Sequence, residues 1–223
     1  MLFDKRITIF AGHFGSGKTE VAVNFALKMK ERHENVAILD FDIINPFFRT
    51  ADAKQNLDEH GIKVYLPANA NKNVEASNFP LEVNTIFANK DIFAIFDVGG
   101  DDLGAKAISR YRNKFLMEDF DLFFVVNTRR PMTDSVEKIV TICREIEESA
   151  GIAPTGLVNN TNLLQFTTGK IIEEGHSLIN KAAEILGCEI AFASGMEPSI
   201  SEANLGKLEK IVLNKNIHLP WNQ

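Results

Sequence analysis

The feature that most constrains the fold is an eight-residue segment, residues 12–19, which lies between an apolar run and an amphipathic segment. The apolar run, residues 6–11, predicts a buried strand, and residues 20–30 predict a helix with apolar side chains along one face. Three glycines let the segment curl without Cβ clashes, so that consecutive N–H groups can point at one anion. The pattern of Gly, any four residues, and Gly-Lys-Thr between strand and helix therefore predicts a phosphate-binding loop.

The two residues at the end of this loop are assigned to chemistry as well as to binding. Lys18 is expected to bridge the β- and γ-phosphates and to act in catalysis, and the Thr19 hydroxyl is expected to bind Mg²⁺. The alternative, a glycine turn with an accidental lysine, leaves the flanking strand and helix unexplained. The loop residues predicted to contact the nucleotide are Gly12, His13, Phe14, Gly15, Ser16, Gly17, Lys18 and Thr19.

Strand-like apolar runs alternate with helical patterns along the whole chain. This alternation predicts an α/β fold with a mostly parallel, doubly wound central sheet between two layers of helices, the three-layer P-loop NTPase fold. At 223 residues the chain suits a single nucleotide-binding domain over 1–223. Residues 189–193 are predicted to form the last strand and residues 201–213 a closing helix. Ligands are expected at the carboxyl ends of the strands.

Three aspartates follow or end predicted strands and are candidates for the metal and water arrangement. Asp97 ends an apolar strand and is predicted to assist Mg²⁺ binding, although an aspartate there can also cap a turn. Asp42 is predicted to position the attacking water or to coordinate Mg²⁺ indirectly. Asp40 could share that task, or it could be a buried carboxylate bonded to the backbone. Gly100 leaves a backbone N–H able to approach the γ-phosphate.

Composition excludes several classes of function. The net charge of −6, without a concentrated basic face, argues against direct nucleic-acid binding. The only two cysteines are far apart and indicate neither a disulfide framework nor a cysteine metal site. No apolar stretch approaches membrane-spanning length, so a cytoplasmic protein that does not bind membranes is expected.

Segments 12–19, 39–46 and 97–100, in this order and spacing, resemble the MinD/ParA/Mrp branch of P-loop ATPases, also called CobQ/CobB/MinD/ParA nucleotide-binding domains. The resemblance implies an ATP- and Mg²⁺-dependent ATPase that switches a protein partner or cargo, often through a nucleotide-dependent homodimer. It further implies that Asp42 is the catalytic switch aspartate and Asp97 the Walker B residue. Residues placed beside the adenine by this resemblance are Asn159, Pro198 and Ser199.

The chain departs from that family at its phosphate loop. Many members carry a lysine after the first loop glycine that reaches across the dimer, whereas this chain has His13. A largely neutral imidazole cannot replace that charge. Turnover of the isolated protein is therefore expected to be slow unless a partner, or Arg129 or Arg130 of a second subunit, supplies the charge. A solvated loop is the alternative for both arginines.

The base and the reaction class remain partly open at the level of sequence. The loop 159–162 lacks the aspartate of the guanine-reading Asn-Lys-x-Asp pattern, which favours ATP. One alternative to an ATPase is an ATP-dependent phosphoryl-transfer enzyme or ligase of the cobyrinate or dethiobiotin synthetase type. In that case Arg129, Arg130 and the segment 67–80 would line a second site. Another alternative is a nucleotide-binding switch without appreciable turnover.

Overall fold

The computed structural model describes residues 2–42, 50–66, 81–100 and 102–217. Within these ranges, eight strands form one sheet in the order β3-β2-β4-β1-β5-β6-β7-β8. All neighbouring strands run parallel. The strands are β1 (Ile7–Ala11), β2 (Val36–Phe41), β3 (Lys63–Tyr65), β4 (Phe93–Val98), β5 (Phe120–Val126), β6 (Gly156–Asn159), β7 (Glu189–Gly195) and β8 (Lys210–Val212).

Helices connect these strands and cover both faces of the sheet. They are α1 (Lys18–Lys30), α2 (Lys54–Glu59), α3 (Leu81–Ala88), α4 (Asp102–Ser109), α5 (Arg112–Phe115), α6 (Val136–Ala150), α7 (Gly169–Leu186) and α8 (Ser199–Glu202). A 3₁₀ turn, Thr50–Ala53, precedes α2, and a second one, Leu164–Phe166, follows β6.

The two faces of β1 show how the sequence separates the layers. Ile7 and Ile9 pack into the core beneath α3 to α7, whereas Phe10 packs beneath α1 and contacts Phe25 with a ring separation of 5.1 Å. Both sets are buried, since a central parallel strand has no face in water. This confirms the predicted α/β fold with a parallel sheet between two layers of helices.

The order of the strands positions the phosphate loop. Strand β1 lies between β4 and β5, so the chain runs outward from β1 in both directions along the sheet. Such a switch point opens a crevice at the carboxyl ends of the strands. The loop that joins β1 to α1 lies at this crevice.

The prediction of a closing helix over 201–213 is wrong. Helix α8 ends at Glu202, where Ala203 turns extended, and the chain then forms the eighth strand beside β7. Ile211 and Leu213 are both buried, as alternate residues of a strand can be. A short apolar run fits either period, so the sequence pattern alone could not distinguish the two structures. The segment 67–80, proposed above for a second site, lies outside the described residues.

Candidate functional site

The first six residues of the phosphate loop, residues 12–17, join β1 to α1, and their backbone is folded back on itself. The Ser16 N–H donates to the His13 carbonyl oxygen at 3.1 Å, and Gly17 caps α1 in the left-handed conformation with φ of 83°. The loop therefore ends at the positive pole of a thirteen-residue helix, an arrangement that suits an anion. Lys18 and Thr19 open that helix, and both side chains are buried.

Close packing explains why glycines stand at two of these positions. A Cβ on Gly17 would lie 2.4 Å from Asn160 Nδ2, and its positive φ is unfavourable for other residues. A Cβ on Gly100 would lie 2.6 Å from the backbone nitrogen of Phe14. The segment after β4 thus lies directly against the phosphate loop, and the contact of the Gly100 N–H with a γ-phosphate stays a prediction.

Buried carboxyl groups lie near Lys18. The Lys18 Nζ lies 3.6 Å from Asp42 Oδ2, and both side chains are more than nine-tenths buried. The Asp42 N–H donates to Asp40 Oδ1 at 2.9 Å. Asp40 is therefore a buried carboxylate bonded to the backbone, which is one of the two roles predicted for it. Asp40 and Asp97 are register partners across β2 and β4. Three carboxylates therefore lie at one end of two adjacent strands.

Asp97 is a buried carboxyl group with a raised pKa. Burial raises the pKa of Asp97 from 3.8 to about 6, while the charge of Lys18 and the adjacent Thr19 hydroxyl oppose this shift. The Thr50 hydroxyl donates to Asp97 Oδ2 at 3.2 Å. A carboxyl group in such a position is ready to be ionised by a bound cation, because added positive charge favours the charged form.

Two buried polar atoms at this site lack a hydrogen-bond partner within the described ranges of the chain. They are Ser16 Oγ in the loop and Asp97 Oδ1 beside Thr19. Buried polar groups are normally satisfied, and a phosphate chain with its magnesium waters offers such partners. The donor set of Thr19 and Asp97 fits Mg²⁺, which prefers oxygen ligands and retains several waters. In the part of the chain that the structure describes, no group of three or more His, Cys, Asp or Glu side chains forms a metal site by itself.

An asparagine behind the loop connects it to two further strands. The Asn160 Nδ2 donates to the Ser16 carbonyl oxygen at 2.7 Å, and Asn160 Oδ1 accepts from the Ser194 hydroxyl at 3.0 Å. All three side chains are buried. Asn160 thus holds the phosphate loop from behind. The sequence drew attention to the asparagine pair at the end of β6, but it could not show which of the two faces the loop.

Its neighbour Asn159 has both ends of its amide engaged in the fold. Nδ2 donates to the Ile172 carbonyl oxygen at 3.0 Å, and Oδ1 accepts from the Thr161 N–H at 3.1 Å. Ser199 begins α8 at the end of β7, directly after Pro198, and its hydroxyl donates to the Thr167 carbonyl oxygen. Contacts of Asn159, Pro198 and Ser199 with the base stay predictions.

Two loop side chains face outward. Phe14 is 57% exposed, and His13 is half-buried with Nδ1 3.0 Å from the Phe14 carbonyl oxygen, to which an Nδ1–H donates. The adjacent arginines after β5 point to different partners. Arg129 pairs with Glu174 of α7, whereas Arg130 Nε donates to the Gly15 carbonyl oxygen at 3.0 Å. The sequence did not predict this contact between Arg130 and the phosphate loop of the same chain.

Comparisons with known proteins agree with this geometry at the level of the fold. The sequence model of one family, described as Zeta toxin, matches residues 4–76, which is less than half of the chain. No curated protein matches the sequence. None of the helices in the described ranges combines the length and apolar character that a bilayer-spanning segment requires.

Several solved structures share the architecture. FtsY from Mycoplasma mycoides is 17% identical, with a TM-score of 0.55, over 84% of this chain and 60% of that one. The cell division protein FtsY from Thermotoga maritima is 19% identical, with a TM-score of 0.55, over 86% and 62%. FlhF, solved as a complex with GTP and Mg²⁺, is 14% identical, with a TM-score of 0.54, over 87% and 67%. The chain thus spans less than two thirds of the two FtsY chains.

These likenesses do not confirm the resemblance to the MinD/ParA/Mrp branch, and at such low identity they concern the fold alone. The phosphate loop between β1 and α1, the parallel sheet and the shared architecture together lead to one conclusion. This chain has the α/β fold of the P-loop NTPases.

Proposed function

We propose that this protein binds a nucleoside triphosphate with Mg²⁺ in the loop 12–19 and hydrolyses its β–γ bond, with ATP as the favoured nucleotide. The observation that carries the proposal is the pairing of a buried Lys18 with Asp42 at the start of α1. A buried ammonium beside backbone N–H groups is suited to a phosphate chain. Burying two charges costs free energy, and apolar residues in their place would stabilise the core at least as well. A role in binding an ion gives a reason for this pair to be buried here.

The residues of the chain divide the work of phosphoryl transfer among them. The loop N–H groups and Lys18 hold the β- and γ-phosphates and balance charge as the bond breaks. Asp42, held in place through Asp40 and Lys18, accepts a hydrogen bond from the attacking water and orients it. Thr19 and Asp97 would hold Mg²⁺. When bound, the metal supplies positive charge that neutralises the phosphate oxygens.

The preference for ATP rests on residues 159–162, which begin with the last residue of β6. Guanine readers commonly place an aspartate two positions after a lysine there, whereas this chain has the sequence Asn159-Asn160-Thr161-Asn162. Among the structural neighbours, FlhF was solved with GTP and Mg²⁺, and the signal recognition particle 54 kDa protein from Aeropyrum pernix K1 was solved with GDP. Competition between ATP and GTP at equal Mg²⁺ concentration tests the preference. Tighter binding of GTP would contradict the preference while leaving the loop assignment intact.

A second candidate is phosphoryl transfer to an acceptor, of the synthetase or kinase type. The partial match to the Zeta toxin family motivates it, and the matched residues 4–76 include the phosphate loop and Asp42. Coupling of hydrolysis to a protein partner, and a homodimer that forms with nucleotide, also belong to the proposal. Gel filtration and phosphate release measured on the same sample, with and without Mg-ATP, test the dimer and the hydrolysis together.

The test of the reaction is a product analysis with matched variants. Wild type with Mg-ATP should release free phosphate and ADP, and Asp42→Asn should retain nucleotide binding while losing most of this release. Lys28→Ala is the control, since Lys28 lies on α1 away from the loop and is partly exposed. If the products include a phosphorylated acceptor and no free phosphate, the reaction is phosphoryl transfer and not hydrolysis. Normal turnover by Asp42→Asn would refute the role of Asp42.

A further inference from the structure

The turn after β5 presents an arginine to the phosphate loop. The Arg130 N–H donates to the Asn127 carbonyl oxygen at 3.1 Å, and the Thr133 N–H donates to the Arg130 carbonyl oxygen at 2.9 Å. The buried Thr133 hydroxyl donates to the same Asn127 oxygen at 2.7 Å. The backbone that carries Arg130 is therefore fixed at both ends of a hydrogen-bonded turn.

The Arg130 side chain lies against the loop at Gly15, one of the three glycines of the loop. Its Nε donates to the Gly15 carbonyl oxygen at 3.0 Å. A Cβ built on Gly15 would lie 3.4 Å from that Nε and 3.8 Å from Cζ. The guanidinium thus packs over the bare Cα of Gly15, with one N–H anchored on the loop. Its two terminal NH₂ groups are not used by this anchor.

The charges of the site explain why a second cation is needed there. The Lys18 Nζ lies 3.6 Å from the buried Asp42 Oδ2, and the charge of Lys18 also acts on the buried carboxyl group of Asp97. A triphosphate adds further negative charge, and more develops on the transferred group as the bond breaks. Arg130 is exposed when no anion is bound, so its charge is hydrated at little cost. Its planar fork of donors suits phosphate oxygens.

We propose that Arg130 is a catalytic residue that acts in cis, with its terminal N–H groups donating to the phosphate chain held in the loop of its own subunit. The inference rests on the proposed function, and it replaces the expectation that this arginine serves a second subunit. Arg129 provides the contrast, because its guanidinium pairs with Glu174 on α7. Two adjacent arginines therefore have different roles.

Substitution tests the contribution of the charge. Arg130→Ala should lower kcat by about 100-fold, the effect typical of losing one donor to a developing oxyanion, with a much smaller change in KM. Arg130→Lys keeps the positive charge but lacks the planar guanidinium donors, so its kcat should lie between those of wild type and Arg130→Ala. Arg129→Ala should stay within about threefold of wild type. Free guanidinium ion should partly restore Arg130→Ala but not Lys18→Ala, a rescue that a merely structural role would not show.

A mixing experiment separates cis from trans action. Lys18→Ala lacks the phosphate contact but retains Arg130, and Arg130→Ala has the opposite defect. If Arg130 acts in cis, the mixture hydrolyses ATP no faster than Arg130→Ala alone at every protein concentration. A mixed rate above that value would show action in trans and overturn the proposal.

Two outcomes distinguish a failure of the proposed function from a failure of the role assigned to Arg130. If wild type neither binds nor hydrolyses nucleotide, the proposed function fails and the role of Arg130 with it. If wild type turns over and Arg130→Ala, folded and with an unchanged melting temperature, does so equally fast, then only the role of Arg130 is refuted.

Discussion

Replacing Asp97 with asparagine should change how the stability of the nucleotide-free protein depends on pH. Burial raises the pKa of Asp97 to about 6 in the folded protein, whereas an ordinary aspartate has a value of 3.8. Because the folded value is the higher one, the unfolded chain releases this proton first as the pH rises. The contribution of Asp97 to stability is therefore full below pH 3.8 and is lost as the pH rises through about 6.

The size of the effect follows from the two pKa values. The difference between 3.8 and about 6 corresponds to about 3 kcal/mol in the free energy of unfolding. Asparagine carries no charge at any pH but keeps an oxygen that can accept from the Thr50 hydroxyl. Raising the pH should therefore destabilise wild type relative to Asp97→Asn by about 3 kcal/mol in total, with most of the change between about pH 4 and about pH 7.

The assay is urea unfolding of both proteins at a series of pH values, without nucleotide or Mg²⁺. Asp52→Asn serves as the control, because Asp52 is an exposed carboxylate in the 3₁₀ turn that also holds Thr50. Its stability should follow the wild-type curve. Parallel curves for wild type and Asp97→Asn would show that the burial of Asp97 does not disfavour its charge, and the reasoning would then fail.

Three further substitutions test the scaffold of the loop. Gly17→Ala should lower the free energy of unfolding in urea by about 1–3 kcal/mol and weaken nucleotide binding, because φ is 83° and the new Cβ would meet Asn160 Nδ2. Unchanged stability and binding would show that the loop can relax. Asn160→Ala should destabilise by a similar 1–3 kcal/mol, roughly the loss of a buried hydrogen bond to the Ser16 carbonyl oxygen; unaltered nucleotide affinity would contradict its role in holding the loop. Glu20→Ala removes the acceptor of the Asn216 N–H at 2.8 Å, so hydrogen exchange at the Asn216 amide, which follows β8, should accelerate while the amides of α1 stay protected. Equal protection of Asn216 in both proteins would refute this contact.

The strands and the phosphate loop could be predicted from sequence because their signals are local. Strand β2, Val36–Phe41, is buried throughout and is apolar at every position except Asp40. The glycines of the loop are required by the backbone conformation and by side chains that pack closely against it. These requirements fix the positions of the glycines in the sequence, so a motif of fixed spacing can reveal them. The chain direction then fixes where Asp42 and Asp97 end up, since parallel strands bring their carboxyl ends to one edge.

Features that depend on contacts between distant residues could not be predicted. Asn160 and Ser16 are separated by 144 positions, and the Arg130–Gly15 contact by 115. A pair of asparagines or of arginines looks the same in sequence whichever member faces the loop. The wrong assignment of residues 201–213 has a related cause, because the partner strand β7, rather than local propensity, decides that Lys210–Val212 is extended.

Calorimetric titration of ATP into the protein, with and without Mg²⁺, tests the central claim most directly. Wild type should bind one nucleotide per chain and bind it more tightly with Mg²⁺. Lys18→Ala should remain folded and lose at least about tenfold in affinity, because a hydrogen bond to a charged group contributes about 1.5–3 kcal/mol. Lys28→Ala should bind as wild type does. Equal affinity of wild type and a folded Lys18→Ala would contradict the assignment of residues 12–19 as the nucleotide site.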